Sequence, residues 1–211
     1  MRLHDGEPQL GDELVLPLAR LLDRLMAGPP VMVGPYLVAI DGRSSSGKTT
    51  LSRRLAALVD DAEVVHTDDV AWWHSRFGWD DLLIDGVIGP LRRGQDVTYR
   101  PPAWDARNRE GAIVVSAAAP LVVIEGVGSG RRSLCELVDT VVWVQSDLDL
   151  TDERNAMRVA SGETDQGGYD AWMAEEIPFQ AEERTWERAD VVVAGTPISA
   201  HDPKAEVVIL R

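Results

Sequence analysis

Apolar residues recur along this chain in two rhythms, short continuous runs and stripes at helical spacing. The runs cover residues 36 to 40, 62 to 66, 112 to 115, 121 to 124, 140 to 144 and 189 to 194. Each has strand length and is rich in valine or other apolar residues, as in strands of a sheet covered on both faces. The helical rhythm begins with Leu14, Leu18, Leu21, Leu22 and Leu25, which predict a helix over 12 to 26, stopped by Gly28-Pro29-Pro30. Pro17 fits that helix only in its first turn. Further helices are predicted from about 47 to 59, in the second half of 70 to 94 until an interruption near Gly89-Pro90, and at 134 to 137. Two more, at 149 to 160 and 169 to 188, flank the gap SGETDQGG. Residues 1 to 10 read as a frayed or docked tail, 95 to 111 as a loop crossing a cleft, and 206 to 210 as an edge strand. Strands alternating with helices or long crossovers predict an α/β fold, a parallel sheet with helices on both faces. One domain is expected over 1 to 211, with a small helical lid at about 151 to 185.

Composition narrows the partners. The 211 residues are 45% hydrophobic and 27% charged, with a net charge of −14. A charge of that sign repels a phosphate backbone and argues against a general nucleic-acid or membrane-surface binder. A single nucleotide needs only a local nest and a few cations, so it remains open. The lone cysteine, Cys135, excludes an intrachain disulfide and fits a reducing, cytoplasmic location. No apolar run approaches the ~18 residues of a membrane span, and the N-terminus lacks a secretory core.

The first strand run enters Gly42-Arg43-Ser44-Ser45-Ser46-Gly47-Lys48-Thr49, followed by Thr50 and the second predicted helix. The segment satisfies G-x-x-x-x-G-K-[ST] with a strand before it and a helix after it, the context a P-loop requires. Small residues let successive backbone N–H groups curl around phosphate, and the helix start adds unpaired amides and a positive dipole end. Lys48 can reach the outer phosphates and Thr49 can ligate Mg²⁺. A nucleoside triphosphate site in a P-loop NTPase fold is therefore the anchor.

Ligands of such sheets bind beyond the carboxyl ends of the strands. That rule gathers Asp68 and Asp69 after the second strand, Glu125 after LVVIE, and Gly195, Thr196 and Pro197 after the last core strand. Asp68 or Asp69 could accept a hydroxyl proton or hold Mg²⁺ through water, and Glu125 could close the metal's coordination. Arg154 and Arg158, at i and i+4, could both reach one phosphate, or could pair with Asp152 and Glu153. Trp72, Trp73, Trp79 and Trp104 could line an acceptor pocket or fill a core. His66 and His74 lack metal-ligand spacing and read as structural. No N-K-x-D guanine signature is present.

GRSSSGKTT, the HTDD turn, YRPPAWD, VVIEGVGSG and ADVVVAGTP together resemble the uridine kinase/phosphoribulokinase/pantothenate kinase group of P-loop kinases over 37 to 197. The likeness is nearest to uridine kinase-like proteins of actinobacteria. The resemblance implies that Asp68 activates the acceptor hydroxyl and that Glu125 lies near metal and acceptor. It further implies that Tyr99, Trp104 and Asp105 form an acceptor-side segment. Arg154 and Arg158 would belong to the lid, and Gly195 to Pro197 would flank adenine. Three features depart from the group: Ser45 stands where glycine is common, Trp104 precedes Asp105, and the lid has an acidic rather than arginine-rich run.

These expectations describe an ATP- and Mg²⁺-dependent small-molecule kinase with Lys48, Asp68, Arg154 and Arg158 as its catalytic set. Its partners would be ATP and a small hydroxyl-bearing acceptor, nucleoside-like or a different alcohol, with a homodimer left open. The rival is a nucleotide-binding regulatory or scaffold protein with no acceptor. A pocket bounded by Asp68, Trp104 and Asp105 would favour the kinase, and a filled surface there the scaffold.

Overall fold

A seven-stranded sheet runs through the molecule in the order β1-β9-β8-β7-β2-β6-β3. Its central strands are β2 (Tyr36–Gly42), β6 (Leu121–Glu125) and β7 (Thr140–Gln145), buried at every position. β3 (Glu63–His66) and β8 (Val191–Ala194) flank them, and all five are parallel. β9 (Glu206–Leu210) and β1 (Glu13–Pro17) close one edge in antiparallel pairing. The computed structural model describes residues 1–9, 11–30 and 33–211.

The expected parallel sheet is thus the centre of a mixed one, and the difference comes from the ends of the chain. Residues 13 to 17 are strand, not the start of a helix. Leu14 sits opposite Ile209 and Leu16 opposite Val207. Pro17 biases Leu16 to extended backbone, and helix α1 (Leu18–Leu25) begins only after it. The tail docks: Glu7 is buried, and the Arg2 guanidinium pairs with Asp149 and Asp152. Residue 10, the last of that tail, lies outside the described residues.

Each face of the sheet carries its own core. Leu37 and Ala39 of β2 face one, while Val38 and Ile40 face the other, as the two-residue period of a strand requires. The second face packs on α1 and on α2 (Lys48–Ala56) through Leu51 and Leu55. The first face packs on a helical run made of α4 (Asp80–Leu83), a π turn (Ile84–Ile88) and α5 (Gly89–Arg92). That run crosses Gly89-Pro90 rather than stopping there, because the wider π turn takes up the register just before the proline. Short α3 (Thr67–Ala71) follows β3 directly.

Residues 95 to 111, expected as a loop, hold strand β4 (Val97–Tyr99) and helix α6 (Pro102–Ala106). β4 pairs with β5 (Ile113–Val115) in a two-stranded antiparallel sheet, and Trp104 enters the first core at 4% exposure. The remaining helices are α7 (Arg132–Cys135), α8 (Leu148–Ala160) and α9 (Gln166–Glu183), with a 3-10 turn at Thr185–Glu187. Among the described residues no helix is long and apolar enough to cross a membrane.

Candidate functional site

The loop between β2 and α2 is drawn tight from below. Asp41, fully buried, accepts hydrogen bonds from the amides of Gly42, Gly128 and Gly130 and from the Thr185 hydroxyl. Burial raises its pKa, and those amides act against the rise. Arg43 turns inward to a buried ion pair with Glu7 at 2.7 Å. Gly47 stands at φ +102°, and a Cβ there would meet no atom within 4 Å, so the loop is open on its cavity side. Ser45 holds φ +59°, the left-handed conformation in which glycine is at ease. Its hydroxyl compensates by donating to Asn155 Oδ1 on α8 at 2.5 Å. The Lys48 ammonium donates to the Arg43 carbonyl at 2.8 Å.

Carboxyl ends of two neighbouring strands deliver the acidic side. The Thr49 hydroxyl lies 3.2 Å from Glu125 Oε1, and His66 Nδ1 lies 2.7 Å from the same oxygen. That hydrogen bond raises the His66 pKa against partial burial. Burial pushes Glu125 upward, but the His66 bond, the Lys48 charge and the Thr49 hydroxyl outweigh it and hold the carboxylate below its usual range. Asp68 is exposed and lines the cavity. Desolvation there raises its pKa, aided by Glu125 and Asp69 and opposed by Lys48 and His66.

Helices α8 and α9 cover the loop. Arg154 donates to the Ser45 carbonyl at 2.9 Å and reaches toward the Gly195 carbonyl, while Arg158 pairs with Glu163. From α9, Glu176, only 1% exposed, accepts from the Ser44 amide at 2.8 Å and the Ser44 hydroxyl at 2.5 Å. Trp172 donates its indole N–H to the same Ser44 hydroxyl and to Glu176. The cavity so enclosed measures about 660 Å³.

Its wall brings together Ser44 to Thr50, Asp68, Glu125, Arg154, Arg158, Gly195 and Pro197. Other expected residues lie elsewhere. Gly42 sits beneath the loop, where a Cβ would strike the Val144 carbonyl. The Thr196 hydroxyl accepts the Asp147 amide at 3.0 Å instead of facing the cavity. Asp69 pairs with Arg109. Trp104 is core, donating to the Asp69 carbonyl at 2.8 Å under the Arg109 guanidinium, so it supports the segment carrying Asp68 rather than lining the site. Asp105 is exposed and paired with Arg100, and Tyr99 packs against Gly86 on another face. Glu176, Trp172 and Asn155 were not singled out, because an acidic, exposed-looking helix carries no local sign that one face meets a loop some 110–132 residues earlier.

The donor set fits Mg²⁺ and a polyphosphate. A hydroxyl and a carboxylate set side by side are the hard oxygens that Mg²⁺ takes while keeping its waters, and Gly47 leaves the cradle clear.

No protein-family model and no curated protein sequence matches the chain. Solved structures do. A protein provisionally named a fructose transport system kinase, from a Silicibacter species, aligns with a TM-score of 0.60 at 22% identity, covering 82% of this chain and 95% of its own. One provisionally named a uridine kinase, from Bacillus stearothermophilus, aligns with a TM-score of 0.52 at 21% identity, covering 83% and 96%. At such identity the likeness establishes the fold, and the chain has the α/β P-loop NTPase fold seen in those kinases.

Proposed function

We propose that this protein is a uridine kinase-like, ATP- and Mg²⁺-dependent phosphotransferase that carries the γ-phosphoryl group to a hydroxyl of a nucleoside-like or other small substrate. The observation that carries the reading is one cavity onto which the loop amides, Lys48, the Thr49–Glu125 pair and the Asp68 carboxyl all open. Among the described residues no cavity joins Asp68 to Trp104 and Asp105, since Trp104 is core and Asp105 pairs with Arg100, so the acceptor reading is supported instead by a second cavity that adjoins the first at Asp68. The resemblance of GRSSSGKTT, HTDD and VVIEGVGSG to uridine kinase-like motifs supports the same class.

Each residue has a role that its position supports. The loop amides from Gly47 to Thr49 orient the phosphates, and Lys48 exchanges its bond to the Arg43 carbonyl for one to phosphate oxygen. Thr49 and Glu125 would hold Mg²⁺, which when bound neutralises charge on the outer phosphates. Asp68 takes the proton of the attacking hydroxyl, and a carboxyl of raised pKa is better matched to that task near neutral pH. Arg154 and Arg158 counter the charge that spreads over the migrating group. The lid at about 151 to 185 closes over it, and Gly195 and Pro197 flank the base. ATP and the acceptor are the partners in this reading, in a cytoplasmic setting without nucleic acid or membrane.

The test is an ATP-consumption screen over nucleosides, sugars and vitamin-like alcohols, with products identified by mass. A product heavier than its alcohol by one phosphoryl group establishes the reaction. ATP binding with no phosphorylated product from any class would return the protein to the scaffold reading.

A further inference from the structure

Glu176 is a buried carboxylate that none of the roles above uses. It is 1% exposed, and among the described residues it makes no ion pair. Hydrogen bonds alone hold it. They come from the Ser44 amide at 2.8 Å, the Ser44 hydroxyl at 2.5 Å, the Trp172 indole and the Gln180 side-chain amide at 3.1 Å. A carboxylate kept from water without a cation is costly, so those four donors are what keep it there.

A ring of donors around an anionic oxygen is also what a phosphate loop offers a phosphate. Two of the four donors belong to that loop. Of residues 42 to 49, Ser44 alone lines both the first cavity and its neighbour of about 400 Å³. Gly47, Lys48 and Thr49 line only the first. In the proposed reaction the group being transferred stands where the two cavities meet. Ser44 is then the loop residue for the terminal phosphate, and Gly47 to Thr49 serve the phosphates that ATP and ADP share.

The Ser44 hydroxyl has one proton to donate, and its backbone nitrogen has one. Glu176 takes both, so a phosphate oxygen can receive neither until the carboxylate lets go. A second anion brought to that point is also repelled by the first, in surroundings where little water screens the two.

We infer that Glu176 is a sensor of the terminal phosphate. Without nucleotide its carboxylate holds Ser44. The terminal phosphate of ATP displaces it and takes those donors, whereas ADP leaves it in place. The joint between α9 and the loop therefore opens for ATP alone, and Glu176 returns to Ser44 once the phosphoryl group has left. This rests on the phosphotransferase reading, which sets the direction in which the triphosphate lies.

The experiment uses the full chain with Mg²⁺ and compares the β,γ-imido analogue of ATP with ADP by calorimetry. Glu176→Gln removes the charge, and Glu176→Asp keeps it while drawing the carboxylate back from Ser44 by one methylene. Both variants should bind the ATP analogue about five-fold tighter or more, the lower end of usual coupling between competing states, with ADP affinity unchanged. An equal change for both nucleotides, or none, overturns the inference, because a carboxylate that only braces the loop serves both alike. Glu176→Asp behaving as wild type while Glu176→Gln tightens the analogue also overturns it, leaving repulsion alone as the cause. Should either variant fail to fold, the wild type carries its own check. The Trp172 indole N–H resonance, assigned with Trp172→Phe, should move on adding the analogue, and a resonance indifferent to it overturns the sensor. Transfer is read separately, by mass, in the acceptor screen. A selective effect at Glu176 with no phosphorylated product keeps the sensor and overturns the phosphotransferase reading. A phosphorylated product with no selective effect does the reverse.

Discussion

Lys48 donates to a neutral acceptor, the Arg43 carbonyl, although its ammonium could make a stronger bond to an anion. That bond is charged on the donor side only, and a phosphate oxygen adds the attraction of an opposite charge, so in the proposed complex it replaces the carbonyl. A bond to a charged group contributes about 1.5–3 kcal/mol, so Lys48→Ala should weaken ATP binding by about 10- to 100-fold in calorimetry. In the proposed reaction Asp68 serves chemistry instead. Asp68→Asn should leave ATP affinity unchanged while kcat falls by about 10²- to 10⁴-fold, the range of general-base catalysis. The wild-type pH profile adds a check. Desolvation raises the Asp68 pKa, with Glu125 and Asp69 adding to it and Lys48 and His66 opposing it. The active base form is lost as pH falls through that raised value, so the acid limb of kcat/KM should lie above the position of an ordinary aspartate. An acid limb at the ordinary position would remove Asp68 as the group responsible.

At the scale of elements, turns decide where these side chains stand. Gly126, which follows β6, holds φ +142°, and a Cβ there would come within 1.8 Å of Thr67 Oγ1 at the start of α3. Both strand ends meet at that point, so one methyl group pushes the Glu125 turn away from the helix that carries Asp68. Gly126→Ala is expected to cost about 1–3 kcal/mol in urea unfolding, typical of overpacking a close contact. Its kcat should fall as well, because Thr67 immediately precedes Asp68. A stable, fully active variant would show that the turn yields without moving the acid. Opposite it, α9 reaches the loop through Glu176 and Ser44, so the helix and the loop share a hydrogen-bonded joint.

The whole molecule is strongly acidic, with a net charge of −14, yet the reading assigns it a polyanion as substrate. The conflict is resolved locally, since amides, Lys48, Arg154 and Arg158 meet in one cavity. The N-terminal tail contributes from beneath. Glu7 accepts from Arg43, from the Trp143 indole at 2.8 Å and from Gln145 at 3.1 Å, all away from water. Removing one partner of a buried ion pair leaves the other charge uncompensated, so Glu7→Ala should cost about 3–5 kcal/mol of unfolding free energy in urea titration. Nucleotide affinity should drop with it, as Arg43 belongs to the phosphate loop. A change smaller than ~1 kcal/mol, the usual worth of a surface pair, would mean that the tail only rests on the surface.

Some of this was determined by local chemistry and legible in order along the chain. Residues 42 to 49 specify a P-loop because its geometry depends on the backbone freedom of eight consecutive residues. Continuous apolar runs such as 121 to 124 and 140 to 144 specify buried strands because burial on both faces leaves no polar alternative. The tertiary structure alone decided which way longer-range choices fell. Leu14 satisfies a helical stripe and a strand equally, and only pairing with β9 selects the strand. Trp104 satisfies a pocket and a core equally, and the first core claimed it. Glu176 meets Ser44 across 132 residues. Such contacts depend on which faces are left to pack once the sheet has formed, and no window of sequence contains that information.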